Sequence, residues 1–287
     1  MSRASAPLGV FDSGLGGLTV VRAMLEALPD ERIIYLGDTA RVPYGTRSAQ
    51  TVIRYARGCA KVLIERGVKA LVIACNTVSA VALDILRAEL DLPVLGVIEP
   101  GAETAVRALD GLPLATGGAP LPKVGVLGTA GTIASQAYPR AVAQISTRVE
   151  VLGQTAPLLV PLAEEGWIEG DVPRLAVRKY LEPLIAGGAG VIVLGCTHYP
   201  LFKSIIAEEA AELAGRTIPI VDSAEATARA VRRAIEEERL PRATEPPASR
   251  LELYVTDLPA SFAVTARAFL GMDTSNVEQI VLGSSSA

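Results

Sequence analysis

Short, mostly apolar runs alternate with amphipathic stretches along almost the whole chain. The apolar runs predict strands at 8–11, 32–36, 70–74, 93–98, 123–127, 149–152, 191–194, 218–221 and 251–255. Between them, apolar positions repeat with helical spacing and predict helices at 18–28, 49–66, 78–90, 102–109, 133–145, 174–185, 202–214 and 224–239. This alternation is typical of an α/β protein, in which parallel sheets are wrapped by helices.

Two segments of the chain resemble each other, which indicates an internal repeat. One opens the first half as Gly9-Val10-Phe11-Asp12-Ser13-Gly14, and the other opens the second half as Gly125-Val126-Leu127-Gly128-Thr129-Ala130. Cys75 follows the first glycine by 66 residues, and Cys196 follows the second by 71. Similar elements at similar spacing favour two related α/β units that face each other across a cleft. Chance similarity between two ordinary α/β units is the alternative.

Glycine- and proline-rich segments mark loops at 111–120 and at 241–247, the latter ahead of a predicted edge strand. The only short low-complexity stretch is the end of the chain, 283–287. The two loops and this end therefore break the α/β pattern without adding a further unit.

The composition is typical of a globular protein and argues against several kinds of partner. The chain has 287 residues, half of them hydrophobic, and a mean hydropathy of +0.37, so we expect a substantial core. No uninterrupted apolar run reaches the roughly 18 residues of a membrane span, and we expect no membrane partner. The first residues lead into a strand without a signal-peptide pattern, so a cytoplasmic protein is expected. The net charge of −4 and the dispersed basic residues argue against a nucleic-acid partner.

The three cysteines are an odd number and include no Cys-x-x-Cys pair, which favours reduced thiols over a disulfide framework. The chain has a single histidine. A zinc site would therefore need ligands from distant pieces of the chain, and we expect no metal.

Two of these thiols occupy matched settings. Cys75 and Cys196 each follow an apolar run, and each precedes small polar residues and a helical pattern. Ligands gather at the carboxyl ends of parallel strands, and a helix N-terminus stabilises a thiolate. Either cysteine alone is more often a small buried hydrophobic residue. Two facing thiols, however, suit a reaction that removes a proton from one face of a carbon and returns one to the other.

The third thiol serves as an internal control. Cys59 lies within a strongly helical pattern at 51–65 and is interpreted as a packing residue.

The lone histidine, His198, stands two residues after Cys196. If the chain is still extended there, the two side chains point the same way, and the imidazole could exchange a proton with the thiol. A histidine satisfied by ordinary contacts in the core or at the surface is an equally good interpretation.

A glycine-rich turn, Asp12-Ser13-Gly14-Leu15-Gly16-Gly17, follows the first predicted strand. Such a turn can hold a phosphate or a carboxylate on its backbone N–H groups. It lacks the Gly-Lys-Ser/Thr of a P-loop and the spacing of a dinucleotide fingerprint. The simplest interpretation is a tight turn capped by Asp12, and the alternative makes Asp12 a partner for an ammonium group or a proton.

Other polar residues follow later strands. In the loop of 38–45, Tyr44 and the amide of Gly45 are candidate ligand contacts. Thr129 and Thr132 occupy the corresponding loop of the second half. Glu164 and Glu165 end an apolar stretch, 158–163, and a solvated helix end is the default interpretation for them.

Together, six motifs resemble those of the glutamate racemases, in the order in which that family carries them. They are Phe11-Asp12-Ser13-Gly14-Leu15-Gly16-Gly17-Leu18, Pro43-Tyr44-Gly45, Ala74-Cys75-Asn76-Thr77, Gly96-Val97-Ile98-Glu99-Pro100-Gly101, Thr129-x-x-Thr132 and Gly195-Cys196-Thr197-His198-Tyr199-Pro200-Leu201. Each motif alone has modest specificity, whereas six in order are highly specific. The resemblance covers about residues 8–240 and is loose beyond Pro241, and Val78 stands where alanine is frequent in the family.

The resemblance implies two pseudo-symmetric, flavodoxin-like α/β domains, each a mostly parallel sheet flanked by helices, with the active site in the cleft between them. The second domain is inserted into the first, so that 1–98 plus 210–287 form one domain and 99–209 the other. It also implies interconversion of L- and D-glutamate without a cofactor, supplying D-glutamate for peptidoglycan. A pyridoxal cofactor would need a Schiff-base lysine, and no lysine falls in these motifs.

The resemblance also assigns roles to residues. Cys75 matches the thiol that faces the α-proton of the D-enantiomer, and Cys196 the thiol that faces that of the L-enantiomer. Asp12 and His198 match auxiliary acid–base residues, and Asp38 and Glu164 match supporting residues. The implied substrate contacts are Asp12, Ser13, Tyr44, Gly45, Asn76, Thr77, Thr129, Thr197 and His198. Glutamate is the expected partner, and the sequence leaves open whether the protein is a homodimer.

Three other functions remain open from the sequence. An aspartate racemase would share both thiols. A degenerate family member would bind or regulate without turnover, although the intact Cys75, Cys196, Asp12 and His198 argue against this. A flavodoxin-like binder of a nucleotide or flavin rests only on the glycine-rich turn.

Overall fold

The computed structural model describes residues 4–110, 121–243, 247–258, 262–274 and 277–282. The predicted loop at 111–120 and the chain end at 283–287 lie outside the described residues. Of the predicted loop at 241–247, residues 241–243 and 247 are described, and they form no helix or strand.

The described residues form ten strands and eleven α-helices. The strands are β1 (Leu8–Asp12), β2 (Ile33–Gly37), β3 (Ala70–Ile73), β4 (Val94–Gly96), β5 (Lys123–Gly128), β6 (Glu150–Thr155), β7 (Ala189–Gly195), β8 (Ile220–Asp222), β9 (Leu251–Val255) and β10 (Val277–Gln279). The helices are α1 (Leu18–Ala27), α2 (Ala49–Glu65), α3 (Asn76–Glu89), α4 (Ile98–Asp110), α5 (Ala130–Ala134), α6 (Ala137–Ile145), α7 (Leu159–Glu164), α8 (Asp171–Ala186), α9 (Lys203–Ala214), α10 (Ser223–Glu236) and α11 (Phe262–Leu270).

The strands form two fully parallel sheets. The first has the order β10-β9-β2-β1-β3-β4, and the second the order β6-β5-β7-β8. The strand order β2-β1-β3-β4 in the first sheet corresponds to the order β6-β5-β7-β8 in the second, with all strands parallel. The predicted α/β fold of two related units is therefore confirmed. We call the first sheet with its helices the first lobe and the second sheet with its helices the second lobe.

Alternation along each central strand explains how the sheets are covered. In β1 and β3, Phe11, Leu71 and Ile73 face α2 and α3, whereas Val10 and Val72 face the opposite side. Strands buried on both faces need apolar residues at every position, which is why these runs lack a polar alternation. No helix among the described residues is long and apolar enough to cross a membrane.

Several predicted elements differ from the structure. The predicted strand at 93–98 is shorter, because Ile98 already begins α4, whose first turn accommodates Pro100. The predicted helix at 133–145 is wrong as a continuous element. It is split because Gln136 takes a left-handed conformation (φ 57°), which ends α5 before α6 begins. The apolar stretch 158–163, interpreted as leading to a helix end at Glu164 and Glu165, corresponds to α7, whereas α11 and β10 were not predicted.

The sheet to which each strand belongs can be compared with the predicted domain boundaries. Strand β8 pairs with β7 in the second sheet. Strand pairing alone would therefore move the predicted boundary at residue 210 beyond β8. The division into 1–98 plus 210–287 and 99–209 stays a proposal.

Candidate active site

A cavity of about 240 Å³ lies between the two lobes. Its walls come from the segments that follow the carboxyl ends of β1, β2, β3, β5, β6 and β7, where parallel sheets place their ligands. The lining residues are Ser13, Gly14, Val42, Pro43, Tyr44, Gly45, Thr46, Cys75, Asn76, Thr77, Thr129, Ala130, Pro157, Val160, Pro161, Glu164, Cys196, Thr197 and His198. Most of the residues singled out from the sequence are thus brought together. Asp12, Asp38, Cys59, Thr132 and Glu165 are not among those that line the cavity.

Cys75 lies at the N-terminus of a long helix. It precedes the first residue of α3, and the backbone N–H of Val78 is directed at its sulfur. The thiol donates a hydrogen bond to the Ser13 hydroxyl at 3.4 Å. Burial and then the nearby charge of Asp12 raise its pKa to about 12, although the bonds to Ser13 and Val78 oppose the shift. In the free protein Cys75 is therefore a protonated thiol at neutral pH.

Asp12 lies just behind this thiol and is almost completely buried. Its Oδ2 accepts hydrogen bonds from the backbone N–H groups of Gly17 (2.8 Å) and Gly14 (3.3 Å), while its Oδ1 has no partner. Burial raises the pKa of Asp12, against the lowering effect of these N–H groups and of the charge on His198. The carboxyl group therefore couples electrostatically to both Cys75 and His198 and retains a free oxygen.

Cys196 has a different neighbour, the imidazole of His198. The sulfur lies 3.8 Å from Nδ1, and Nε2 lies 3.0 Å from Oε1 of Glu164. The Phe269 ring and the imidazole form a T-shaped contact, with centroids 5.1 Å apart. Burial lowers the pKa of His198, but the hydrogen bonds and charges of Cys196 and Glu164 outweigh it and raise the pKa to about 10.

The backbone conformation that brings His198 to Cys196 differs from the expected extended chain. The chain is not extended after Cys196: it turns, and His198 has helical backbone angles (φ −82°, ψ −28°). Gly16 makes the contact possible, because a Cβ there would lie 2.3 Å from Thr197 Oγ1 and 2.6 Å from His198 Nδ1. The glycine-rich turn of the first lobe is therefore the surface on which the His198 side chain rests.

Glu164 combines both interpretations made from the sequence. It is the last residue of α7 and its side chain is half exposed, as expected of a solvated helix end. Its carboxylate nonetheless contacts His198 and helps to hold the proton on the imidazole.

Neutral hydrogen-bonding groups complete the cavity. The hydroxyl groups of Thr77, Thr129 and Thr132 lie within 2.9–3.3 Å of one another across the lobes. The backbone N–H of Gly131 donates to the carbonyl of Gly45 at 3.0 Å and closes one side. No lysine or arginine lines the cavity among the described residues, so an anionic ligand would be held by hydroxyl, amide and imidazole groups.

Asp38 acts behind the cavity wall. It is fully buried and accepts hydrogen bonds from Arg41 Nε (2.6 Å), Thr256 Oγ1 (2.9 Å) and the Tyr44 hydroxyl. It therefore holds the loop that carries Tyr44 and Gly45, and it makes no contact with the cavity. The buried Cys59 lies beside this cluster, and burial followed by the charge of Asp38 raises its pKa strongly.

Sequence reasoning missed two residues of the surroundings, Thr256 and Phe269. Each lies more than 70 residues from its partner, Asp38 or His198, in the part of the chain that resembles the family only loosely. No local pattern marks them. Among the described residues no cluster of three or more His, Cys, Asp or Glu side chains could hold a metal ion.

Known proteins resemble this chain over nearly its whole length. A glutamate racemase of Geobacter metallireducens is 46% identical over 275 residues, which is 96% of each chain. The crystal structure of glutamate racemase from Francisella tularensis in complex with D-glutamate matches with a TM-score of 0.84 and 35% identity, covering 98% of this chain and 99% of that one. Glutamate racemase from Thermus thermophilus in complex with β-chloro-D-alanine matches with a TM-score of 0.82 and 40% identity, covering 97% and 98%.

The fold, the paired thiols in one cleft and these relatives define an amino-acid racemase, which is an isomerase. The family model described as Asp/Glu/Hydantoin racemase matches residues 8–231. The chain belongs to that family, and the resemblance noted from its motifs is confirmed.

Proposed function

We propose that this protein interconverts L- and D-glutamate without a cofactor, by proton transfer between the substrate Cα and two thiols. The observation that carries the proposal is that Cys75 and Cys196, contributed by different lobes, line the same cavity. Further support comes from the relatives, which are called glutamate racemases at 41–46% identity. One structural neighbour was solved with D-glutamate bound.

In the proposed reaction one sulfur, as thiolate, takes the α-proton, and the electron pair of the C–H bond stays on the substrate as a carbanion. The opposing thiol then gives its proton to the other face of Cα and becomes the thiolate. The Asn76 amide would bind a carboxylate of the substrate, and the Thr77 and Thr129 hydroxyls would bind the carboxylates and stabilise the developing negative charge. Exclusion of water by the bound substrate would strengthen these bonds.

The two directions start from different protonation patterns. Deprotonation of L-glutamate by Cys196 needs Cys75 as a thiol, which is the state that its raised pKa of about 12 favours. Deprotonation of D-glutamate needs Cys75 to lose its proton first. The unpartnered Oδ1 of Asp12 is the proposed acceptor. On the other side, the protonated imidazole of His198, 3.8 Å from the sulfur, would stabilise Cys196 as the thiolate.

We further propose that the product D-glutamate is used for peptidoglycan synthesis. In a bacterium that grows only with added D-glutamate, expression of this chain should restore growth without the supplement. The same chain carrying Cys75→Ala should not.

The direct test is an optical assay of the purified protein with L-glutamate and no added cofactor. Because enantiomers have equal free energies in an achiral solvent, the optical activity should decay to zero from either enantiomer. If optical activity decayed with aspartate and not with glutamate, the substrate would be aspartate and the proposed substrate would be wrong. No decay with either would contradict the proposed activity.

A further inference from the structure

Tyr138 links the two thiol-bearing turns, although it belongs to neither. It is the second residue of α6 on the second lobe and is buried. Its hydroxyl donates a 2.8 Å hydrogen bond to Oδ1 of Asn76. Asn76 is the first residue of α3 on the first lobe and directly follows Cys75. The bond therefore crosses from one lobe to the other beside a proposed catalytic thiol.

The amide of Asn76 is only half satisfied. Oδ1 accepts the bond from Tyr138, whereas the buried Nδ2 has no hydrogen-bond partner. A buried N–H₂ group without a partner is costly unless a ligand supplies an acceptor. Asn76 lines the cavity, so that acceptor can be a group of the substrate. An amide can turn over by 180°, and the O–H of Tyr138 selects the orientation that leaves the N–H₂ group free.

The Tyr138 ring packs closely against two glycine positions. A Cβ on Gly195, the residue before Cys196, would lie 3.3 Å from Tyr138 Cε2. A Cβ on Gly101 of α4 would lie 3.5 Å from the Tyr138 hydroxyl oxygen. Burial and then the charge of Cys196 raise the pKa of Tyr138, so the hydroxyl keeps its proton and remains a donor at any pH at which the protein works.

We propose that Tyr138 is a positioning residue that orients the Asn76 side chain so that its N–H₂ group binds a carboxylate of the substrate. This inference rests on the proposed function and adds to it a residue that touches no substrate. Without the hydroxyl, Asn76 samples both amide orientations, and the wrong one turns Oδ1 towards the carboxylate. Loss of one such bond corresponds to a weakening of binding by about 3- to 10-fold.

Tyr138→Phe tests the positioning role with the least disturbance, because the ring keeps its packing and only the hydroxyl is lost. We expect KM for both enantiomers to rise about 3- to 10-fold while kcat changes by less than about 2-fold, the signature of lost uniform binding. Tyr199→Phe is the matched control. Its buried hydroxyl on the same lobe donates to the carbonyl of Ala156 at 2.8 Å, so its removal should leave KM unchanged.

A double-mutant cycle separates positioning from a structural role. In an Asn76→Ala background, adding Tyr138→Phe should produce no further rise in KM. An equal rise in both backgrounds would overturn the inference, as would an unchanged KM in Tyr138→Phe alone. If the parent chain does not turn over glutamate, the proposed function fails instead, so the two failures are distinguishable.

A measurement on the parent chain needs no variant. The side-chain amide signals of Asn76 in a ¹⁵N spectrum should shift when D-glutamate is added, because the Nδ2 protons gain an acceptor. Signals that stay in place at saturating D-glutamate would overturn the inference.

Discussion

The surroundings of Cys75 and Cys196 are alike in scaffold and different in chemistry. Each cysteine follows a central parallel strand, β3 or β7, that neighbours the opening strand of its lobe, and each is 6% exposed. Cys75 immediately precedes a 14-residue helix and has a hydroxyl and a carboxyl group nearby. Cys196 lies three residues before a short 3₁₀ helix, Tyr199–Phe202, and contacts an imidazole held by a carboxylate.

This difference shows what the internal repeat preserves. The repeated strand order fixes where the sulfur atoms lie, whereas the proton-carrying neighbours differ between the lobes. A racemase must accept substrates that differ only in handedness, and a pseudo-symmetric scaffold suits that task. Because the neighbours differ, we expect the two sides to respond unequally to mutation and to pH.

Removal of either cavity thiol should have the largest effect. Cys75→Ala and Cys196→Ala should each reduce racemisation by at least about 10³-fold, because each removes a proton donor or acceptor at Cα. Binding of glutamate, measured by calorimetry, should persist. Cys59→Ala, which removes a buried thiol outside the cavity, is the control and should keep activity within about 2-fold. Near-normal turnover in either of the first two variants would contradict the mechanism.

Gly16→Ala should disturb the Cys196 side selectively. The added methyl group cannot fit 2.6 Å from His198 Nδ1, so the imidazole must move away from the sulfur. A displacement of about 1 Å can reduce the rate by about 10²-fold. Steady-state kinetics measures the loss. Gly58→Ala on α2, whose Cβ would meet only Arg41 at 3.9 Å, is the control and should be fully active. A fully active Gly16→Ala variant would show that His198 need not stay in place.

Asp12→Asn should change the acidity of the Cys75 thiol. Burial would still raise its pKa, but the additional rise caused by the Asp12 charge would be removed, so the pKa should fall below about 12. The rate of alkylation by iodoacetamide as a function of pH, in a background with Cys59→Ala and Cys196→Ala, reports this pKa. An unchanged alkylation profile would show that Asp12 does not act on Cys75.

His198 should make stability depend on pH. Its pKa is raised from 6.5 to about 10 in the folded protein, so the folded state holds a proton that the unfolded chain releases between these values. The stabilising contribution is complete below about pH 6.5, falls as the pH rises and is lost above about pH 10. The urea midpoint of the parent chain should therefore decrease more between pH 7 and pH 10 than that of His198→Gln. Parallel decreases would contradict the raised pKa.

The sequence was informative where structure depends on local pattern. The apolar runs before Cys75 and Cys196 predicted β3 and β7, and β9 was predicted with its observed bounds, 251–255. The motifs also located most cavity residues, because the carboxyl ends of parallel strands meet in one place.

Other features depend on contacts between distant segments, which no local pattern encodes. The bonds of Thr256 to Asp38 and of Tyr138 to Asn76 join residues 218 and 62 positions apart. The contact between Cys196 and His198 was expected from an extended chain and is produced by a turn. The helix α11, which carries Phe269, is a short C-terminal element, and its pattern gave no prediction.

The two-thiol mechanism is tested most directly by deuterium uptake at Cα in deuterated water, measured separately for each enantiomer under single-turnover conditions. We expect Cys75→Ser to lose exchange more severely from D-glutamate and Cys196→Ser to lose it more severely from L-glutamate. Equal loss from both enantiomers in each variant would contradict the assignment of one sulfur to each face of the substrate carbon.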